Sequence, residues 1–333
     1  MHYKIISLGM GAAKTHILAR SGITLLTLVV AFSGLTAQQQ NRAQSSQDQD
    51  DGSRQVTLET FTRARPRLPT PPIRIGSRRR PIAVTGMKPP RYRRKTAPLP
   101  TSLNLPTLDL LELGLTIWRL RPFQTADRGA RLLVMDGGQS SQWIPERIEV
   151  DQPLALGERV RISIESPRPG YLYVIDREQY ADGTMGLPYL IFPTTRTRAG
   201  NNLVKPGMLI DIPGQDDLPP YFTLNSMNPK YAGEVLTVIV LSHPLEGLTI
   251  GRQPLVLPVK QLASWEKQLG SMMERFEMDG GAGTPWTAAE QAAALASGGR
   301  SLTQDEPAPQ TIYRVAAKTV NGLLIHVPIR YQR

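Results

Sequence analysis

The feature that most constrains this chain is a run of short alternating segments between Leu156 and Pro244, each closed by proline or glycine. The first, Gly157 to Glu165, places Val160, Ile162 and Ile164 in alternation with Arg159, Arg161, Ser163 and Glu165. Period two is the repeat of a strand with one face buried. Pro167, Pro169 and Gly170 then make a turn. Gly170 to Asp176 (GYLYVID) reads as a second strand, apolar on both faces. Tyr189 to Pro193, Met208 to Pro213, Tyr221 to Leu224 and Val235 to Leu241 follow at short spacing. Short strands parted by proline and glycine turns predict a mainly β fold, an Ig-like or related β-sandwich.

The same run carries an ordered set of motifs. They are Gly170 to Val174, Asp182-Gly183, Phe192-Pro193, Asn202 with Gly207, and Ile212-Pro213. Their order resembles the bacterial family called domain of unknown function 4384. The resemblance covers roughly a quarter to a third of the chain. It implies a β-rich domain of exported or envelope-associated proteins, sometimes appended to enzymes, and it brings no catalytic residues to transfer.

What precedes the run has another character. Residues 1–37 read as a signal peptide: Lys4, Lys14 and Arg20 precede an apolar stretch from Ile23 to Phe32, then small residues up to Ala37. That stretch is short for a membrane span, and the alternative is an uncleaved anchor. The expected address is exported: periplasm, cell envelope or extracellular. The chain has no cysteine, which excludes disulfides, thiolate chemistry and a bacterial lipid anchor.

Residues 38–108 read as a disordered tether. Between Thr60 and Leu108 stand twelve lysines or arginines, ten prolines and no acid. Proline removes backbone donors and like charges repel, so an extended chain is expected. From Asp109 onward there are 22 basic against 24 acidic residues, so the high net charge belongs to the tether. Its candidate polyanion-binding residues are Arg78, Arg79, Arg80, Arg91, Arg93, Arg94 and Lys95. The expected partners are anionic envelope polymers or another envelope protein. Only Tyr92 interleaves with these charges, so a platform for stacking bases is missing and nucleic acid is not expected.

The domain proper is expected over residues 109–333. Leu113 to Leu120 reads as a strand with Thr116, Trp118 and Leu120 on one face and Leu115, Ile117 and Arg119 on the other. Arg131 to Met135 is another; Gln142 to Pro145 ends a loop. Trp118 and Trp143 read as core anchors. Because Val235 to Leu241 is apolar on both faces, something must cover its second face. The candidate is a helix carrying Leu262, Trp265, Leu269, Met272 and Phe276 in one stripe. A second helix is expected from Ala288, capped by Thr287 with Glu290 closing a capping box. Together they form a helical insertion over residues 259–298. Asn321-Gly322 between two apolar runs predicts a C-terminal hairpin over residues 311–331, completing the sandwich begun near Leu113.

The inventory for catalysis is thin. Outside the first 37 residues the only histidines are His243 and His326. There is no Gly-x-Ser-x-Gly elbow, no zinc spacing of histidines and no phosphate-binding glycine pattern. Ser242 and His243 are neighbours at a strand end, where period two sends them to opposite faces. Two acidic groups, Asp176, Glu178 and Asp182, then Asp211, Asp216 and Asp217, read as loop carboxylates that turn chemistry explains without an ion. No metal and no cofactor is expected. The reading is a non-catalytic binding or structural module of the cell envelope. The alternative is an accessory domain with polysaccharide- or peptide-directed hydrolase activity, using Glu146 with Glu149 or Asp176 with Glu178 across an open cleft.

Overall fold

A computed structural model describes residues 58–67, 90–97, 99, 110–136, 139–226, 228–270, 272–295, 299–317 and 321–332. Among these residues the fold is mainly β, with two antiparallel sheets packed face to face. The expected signal peptide and Arg78, Arg79 and Arg80 lie outside the described residues.

The first sheet is built around β2 (Leu110–Pro122). Its first half pairs with β14 (Thr311–Ala316), its second half with β4 (Gln139–Ile148), and its opposite edge with β5 (Arg159–Glu165). Beyond β14 lie β13 (Met272–Met278) and then β1 (Tyr92–Arg94); beyond β4 lies β3 (Leu132–Asp136). Two short strands, β9 (Ile210–Ile212) and β10 (Phe222–Thr223), finish the edge at β5. The second sheet runs β12 (Leu255–Val256), β7 (Tyr189–Phe192), β6 (Gly170–Tyr180), β11 (Tyr231–Leu241) and β15 (Gly322–Arg330), with β8 (Leu203–Val204) on β6.

The alternation read in the sequence explains the layers. Leu113, Leu115 and Ile117 of β2 and Val160, Ile162 and Ile164 of β5 face Leu172, Val174, Val238, Val240, Leu323, Ile325 and Val327 of the second sheet. Burying each such side chain contributes roughly 1.5–3 kcal/mol before chain entropy is counted. The opposite phase of β2 serves a second core. Trp118 and Leu120 pack with Trp286 and Ala293, the tryptophan centroids 6.2 Å apart. Ala293 ends α3 (Ala288–Ala293), which has the expected capping box between Thr287 and Glu290. The second sheet is covered likewise: Tyr173, Ile175, Ile239 and Leu324 lie under Leu262 and Leu269 of α2 (Val259–Leu269). The second face of the Val235 to Leu241 strand is therefore covered by the helix expected to cover it.

Several expectations are corrected. The helical stripe stops at Leu269, because Gly270 caps α2, and Met272 and Phe276 belong to β13. The two helices are thus no single insertion; a strand of the first sheet parts them, and they cover different sheets. Asn321-Gly322 does not close a hairpin. β14 pairs in the first sheet and β15 in the second, so this turn crosses between layers. Completion of the sandwich holds, with Tyr313 opposite Leu113 in the register. Gln142 to Pro145 lies inside β4, not in a loop. β5 is buried on both faces, with Arg161 and Ser163 enclosed under the second core.

The tether is corrected where it is described. Residues 58–63 are helical (α1), with Leu58 and Phe61 buried one turn apart against Tyr92, Phe276 and Ile312. Arg65 continues that face and is 3% exposed. Its Nε and Nη2 donate to the two oxygens of Glu165, both at 2.7 Å. Nη1 and Nη2 also donate to the carbonyls of Thr303, Glu306 and Pro307. All five guanidinium donors are used, which makes a planar fork the side chain for this place. Tyr92 of β1 is buried and donates to the carbonyl of Pro309. The basic, proline-rich composition is real, but two pieces of it are part of the fold.

Candidate functional site

Cations of the expected polyanion site face the domain's own carboxylates. Lys95 lies 2.8 Å from Glu149, and Arg94 lies 3.7 Å from Glu274 beneath the Phe276 ring. Arg93 is half exposed, with Glu149 at 3.8 Å and Asp279 at 3.7 Å; Arg91 is exposed. β1 holds Arg93 and Arg94 against β13, so the structure does not bring these cations onto one free, extended arm.

Among the described residues a cavity of about 450 Å³ lies between the two sheets, at the end of β5, β6 and β11. Val160, Ile162, Ile212 and Phe222 wall it from the first sheet; Ile191, Leu236 and Ile329 wall it from the second. Arg196, Asp217 and Arg252 stand in the loops around it. Asp217 is itself held, accepting from the Thr197 hydroxyl and, at 2.8 Å, from the Gly214 amide.

Two carboxyls open into this apolar space. The inward phase of β6 is Leu172, Val174, Asp176, Glu178; that of β11, read backwards, is Val240, Val238, Leu236, Glu234. Aliphatic side chains fill the centre of the sandwich, and acids replace them where the sheets open. Asp176 sits opposite Leu236 and Glu178 opposite Glu234, which places Asp176 diagonal to Glu234. Asp176 is 3% exposed and Glu234 also 3%. One oxygen each of Asp176, Glu178 and Glu234 is buried without a hydrogen-bond donor.

The surroundings explain their ionisation. Burial and then the neighbouring Glu178 push the Asp176 carboxyl up to about 7. Burial and then Asp176 raise Glu234 well above the usual carboxylate range. After burial, the Asp176 charge acts most on Glu234, so a proton on either carboxyl relieves their repulsion. Two tyrosines complete the cluster. The Tyr231 hydroxyl donates to Glu234 at 2.6 Å, and the Tyr180 hydroxyl donates to Glu178. Burial, then the adjacent acids, raise both phenols, Tyr180 to about 12, so both remain donors at neutral pH.

A backbone irregularity aims Glu234. The register slips between Tyr231 and Gly233, and Gly233 has φ of 156°. A Cβ there would stand 2.2 Å from the Ile329 carbonyl of β15. Only glycine lets the bulged strand approach its neighbour this closely.

Other candidates fall apart as sites. Asp176 and Glu178 are on a strand, while Asp182 is in an exposed turn, bonded to Thr184 and Lys230. Asp211 pairs with Arg161 at 2.7 Å. Glu146 pairs with Arg121 and Glu149 with Lys95, in separate ion pairs. Ser242 and His243 do meet, with Oγ and Nδ1 2.9 Å apart, because the strand ends at Leu241 and period two no longer applies. That contact is exposed. His326 packs by Thr237 and Glu266, with burial lowering its pKa. Among the described residues no group of three or more acids or histidines is arranged to hold a metal ion. Nor is any helix among them long and apolar enough to cross a membrane.

Compared with protein-family models, with curated proteins and with solved structures, the chain finds no match. Glu234 escaped the sequence reading, yet its signal was present: Asp176, Glu178 and Glu234 all lie in phase with buried aliphatics on their strands.

Proposed function

We propose that this chain is a binding module of the bacterial cell envelope, and that the cavity between its sheets takes a largely apolar ligand. The observation that carries this reading is the cavity itself: about 450 Å³, walled by aliphatic and aromatic side chains, with a few converging polar groups. Ligand sites have this size and this composition. Export rests on the charged and apolar pattern of residues 1–37, and the envelope on the resemblance of residues 156–244 to exported β-rich domains. The hydrolase alternative has less support. Of the carboxyls named for it, Glu146 is paired with Arg121, Glu149 with Lys95, and Glu178 accepts from the Tyr180 hydroxyl.

The test is calorimetric titration with 4-phenylbutan-1-ol, a neutral amphiphile of suitable size. Saturable binding is expected, and Ile191→Trp, which fills the cavity from a partly exposed position, should abolish it. Equal binding to the filled variant would place the ligand elsewhere. In the same reading, Arg78, Arg79 and Arg80 provide contact with anionic envelope polymers. Replacing all three with serine should weaken retention on such polymers and reduce its salt dependence.

A further inference from the structure

We propose that the cavity selects ligands bearing an ammonium group on an apolar body, with Asp176 and Glu234 as its counter-charges. This rests on the binding reading above and deepens it. Three buried acids cluster on the second sheet, and among the described residues each keeps one buried oxygen without a hydrogen-bond partner. Elsewhere in the described fold, three buried acids have arginine partners, Glu165 with Arg65, Glu290 with Arg147 and Asp211 with Arg161, while Glu277 is bonded to Gln310 and Thr311 and Asp217 to Thr197. Asp176 and Glu234 line the cavity, each nine-tenths or more buried, each with an oxygen that receives no donor. A bare acid in apolar surroundings is costly unless paired. A cation arriving in the cavity supplies the missing pair.

The groups facing the two acids favour an organic cation. On β6 they are Glu178 and Tyr180, on β11 Tyr231, and on β7 Tyr189; the facing strands β5, β9 and β10 present only aliphatic and aromatic side chains to the cavity. The cavity's cations, Arg196 and Arg252, belong to the loops, where Asp217 acts on Arg196 and Arg196 donates to the Leu218 carbonyl. A metal ion needs several oxygens converging on a point, and the described residues offer no such group. An alkylammonium needs only one or two acceptors and an apolar wall for its body. Its charge favours the ionised carboxyls, so a proton held by either one leaves to solvent as the amine binds.

The experiment compares 4-phenylbutylamine with 4-phenylbutan-1-ol by titration calorimetry at pH 6 and pH 8, in buffers of differing ionisation enthalpy. The amine should bind about tenfold or more tightly than the alcohol at pH 8. Its advantage should shrink at pH 6, and its binding should release protons where the alcohol's does not. Asp176→Asn and Glu234→Gln should abolish the preference, so that each variant binds amine and alcohol with equal affinity. If amine and alcohol bind alike, or the variants keep the amine preference, the ammonium assignment is overturned and the apolar site stands. If neither probe binds, the cavity is no site for such ligands and both readings fall.

Discussion

The three buried ion pairs of the first sheet and the acid cluster at the cavity treat buried charge in opposite ways. Around the first sheet, Arg65 with Glu165, Arg147 with Glu290 and Arg161 with Asp211 form ion pairs in which no side chain is more than 4% exposed. On the second sheet, Asp176, Glu178 and Glu234 are also buried, and two phenols rather than arginines donate to Glu178 and Glu234. Matched pairs hold segments that are remote in sequence in one register: Arg65 reaches Glu165 across a separation of 100 residues. An unmatched cluster holds nothing together and costs stability. The difference separates charge that builds the fold from charge kept available for a ligand.

The largest effect expected from this contrast is on the matched side. Arg65→Ala leaves Glu165 buried without its cation, and the loss should be about 3–5 kcal/mol. Denaturant unfolding measures it, and Arg161→Met should behave alike through Asp211. A loss below about 1 kcal/mol in both would mean that the pairs do not organise the first sheet.

On the unmatched side the sign reverses. Asp176→Asn or Glu234→Gln should stabilise the unliganded protein at pH 8 by about 1–3 kcal/mol, because a desolvated charge and its repulsion are removed. Destabilisation by either variant would show that the cluster is a structural network.

The pH profile sharpens the same point. Asp176 and Glu277 are both pushed up to about 7, chiefly by burial. Between the ordinary carboxylate range and pH 7 the folded state therefore holds protons that the unfolded chain has released. Stability should fall as pH rises from about 4 through about 7, by at most ~1.4 kcal/mol per pH unit for each group, then level off. Thermal melts across this range read the slope, and Asp176→Asn should flatten it. A profile that rises over the same window would contradict the raised carboxyls.

The smallest effect belongs to the surface. Arg300 and Glu306 pair where Arg300 is 46% exposed, and Arg300→Ala should change stability by less than about 1 kcal/mol. A loss as large as that of Arg65→Ala would erase the distinction between buried and solvated pairs.

Period two made the strands legible, and with them the sandwich. The phases of Leu113, Leu115 and Ile117 and of Trp118 and Leu120 are those read from the sequence. It failed where two periods coincide: Leu262, Trp265 and Leu269 continue at helical spacing into Met272 and Phe276, although Gly270 intervenes and caps the helix. The Asn321-Gly322 turn is a local signal and is silent on whether the strands it joins pair with each other or with different sheets. Composition likewise hid Arg65, because its function is defined by an acid far along the chain. The candidate site was half legible. Asp176 and Glu178 stood out as acids but were assigned to a loop, since the strand runs on to Tyr180, past the apolar residues that revealed it.

Arg65 and Tyr92 both anchor to the domain, and this changes what a protease would accomplish. A cut between Arg67 and Arg91 would sever the backbone without releasing a piece. The upstream fragment would remain seated through Leu58, Phe61 and Arg65, and the downstream one through β1. The nicked molecule should migrate as one species in native conditions and as two in denaturant. The arginine-rich stretch would then become two free ends still moored to the same sandwich.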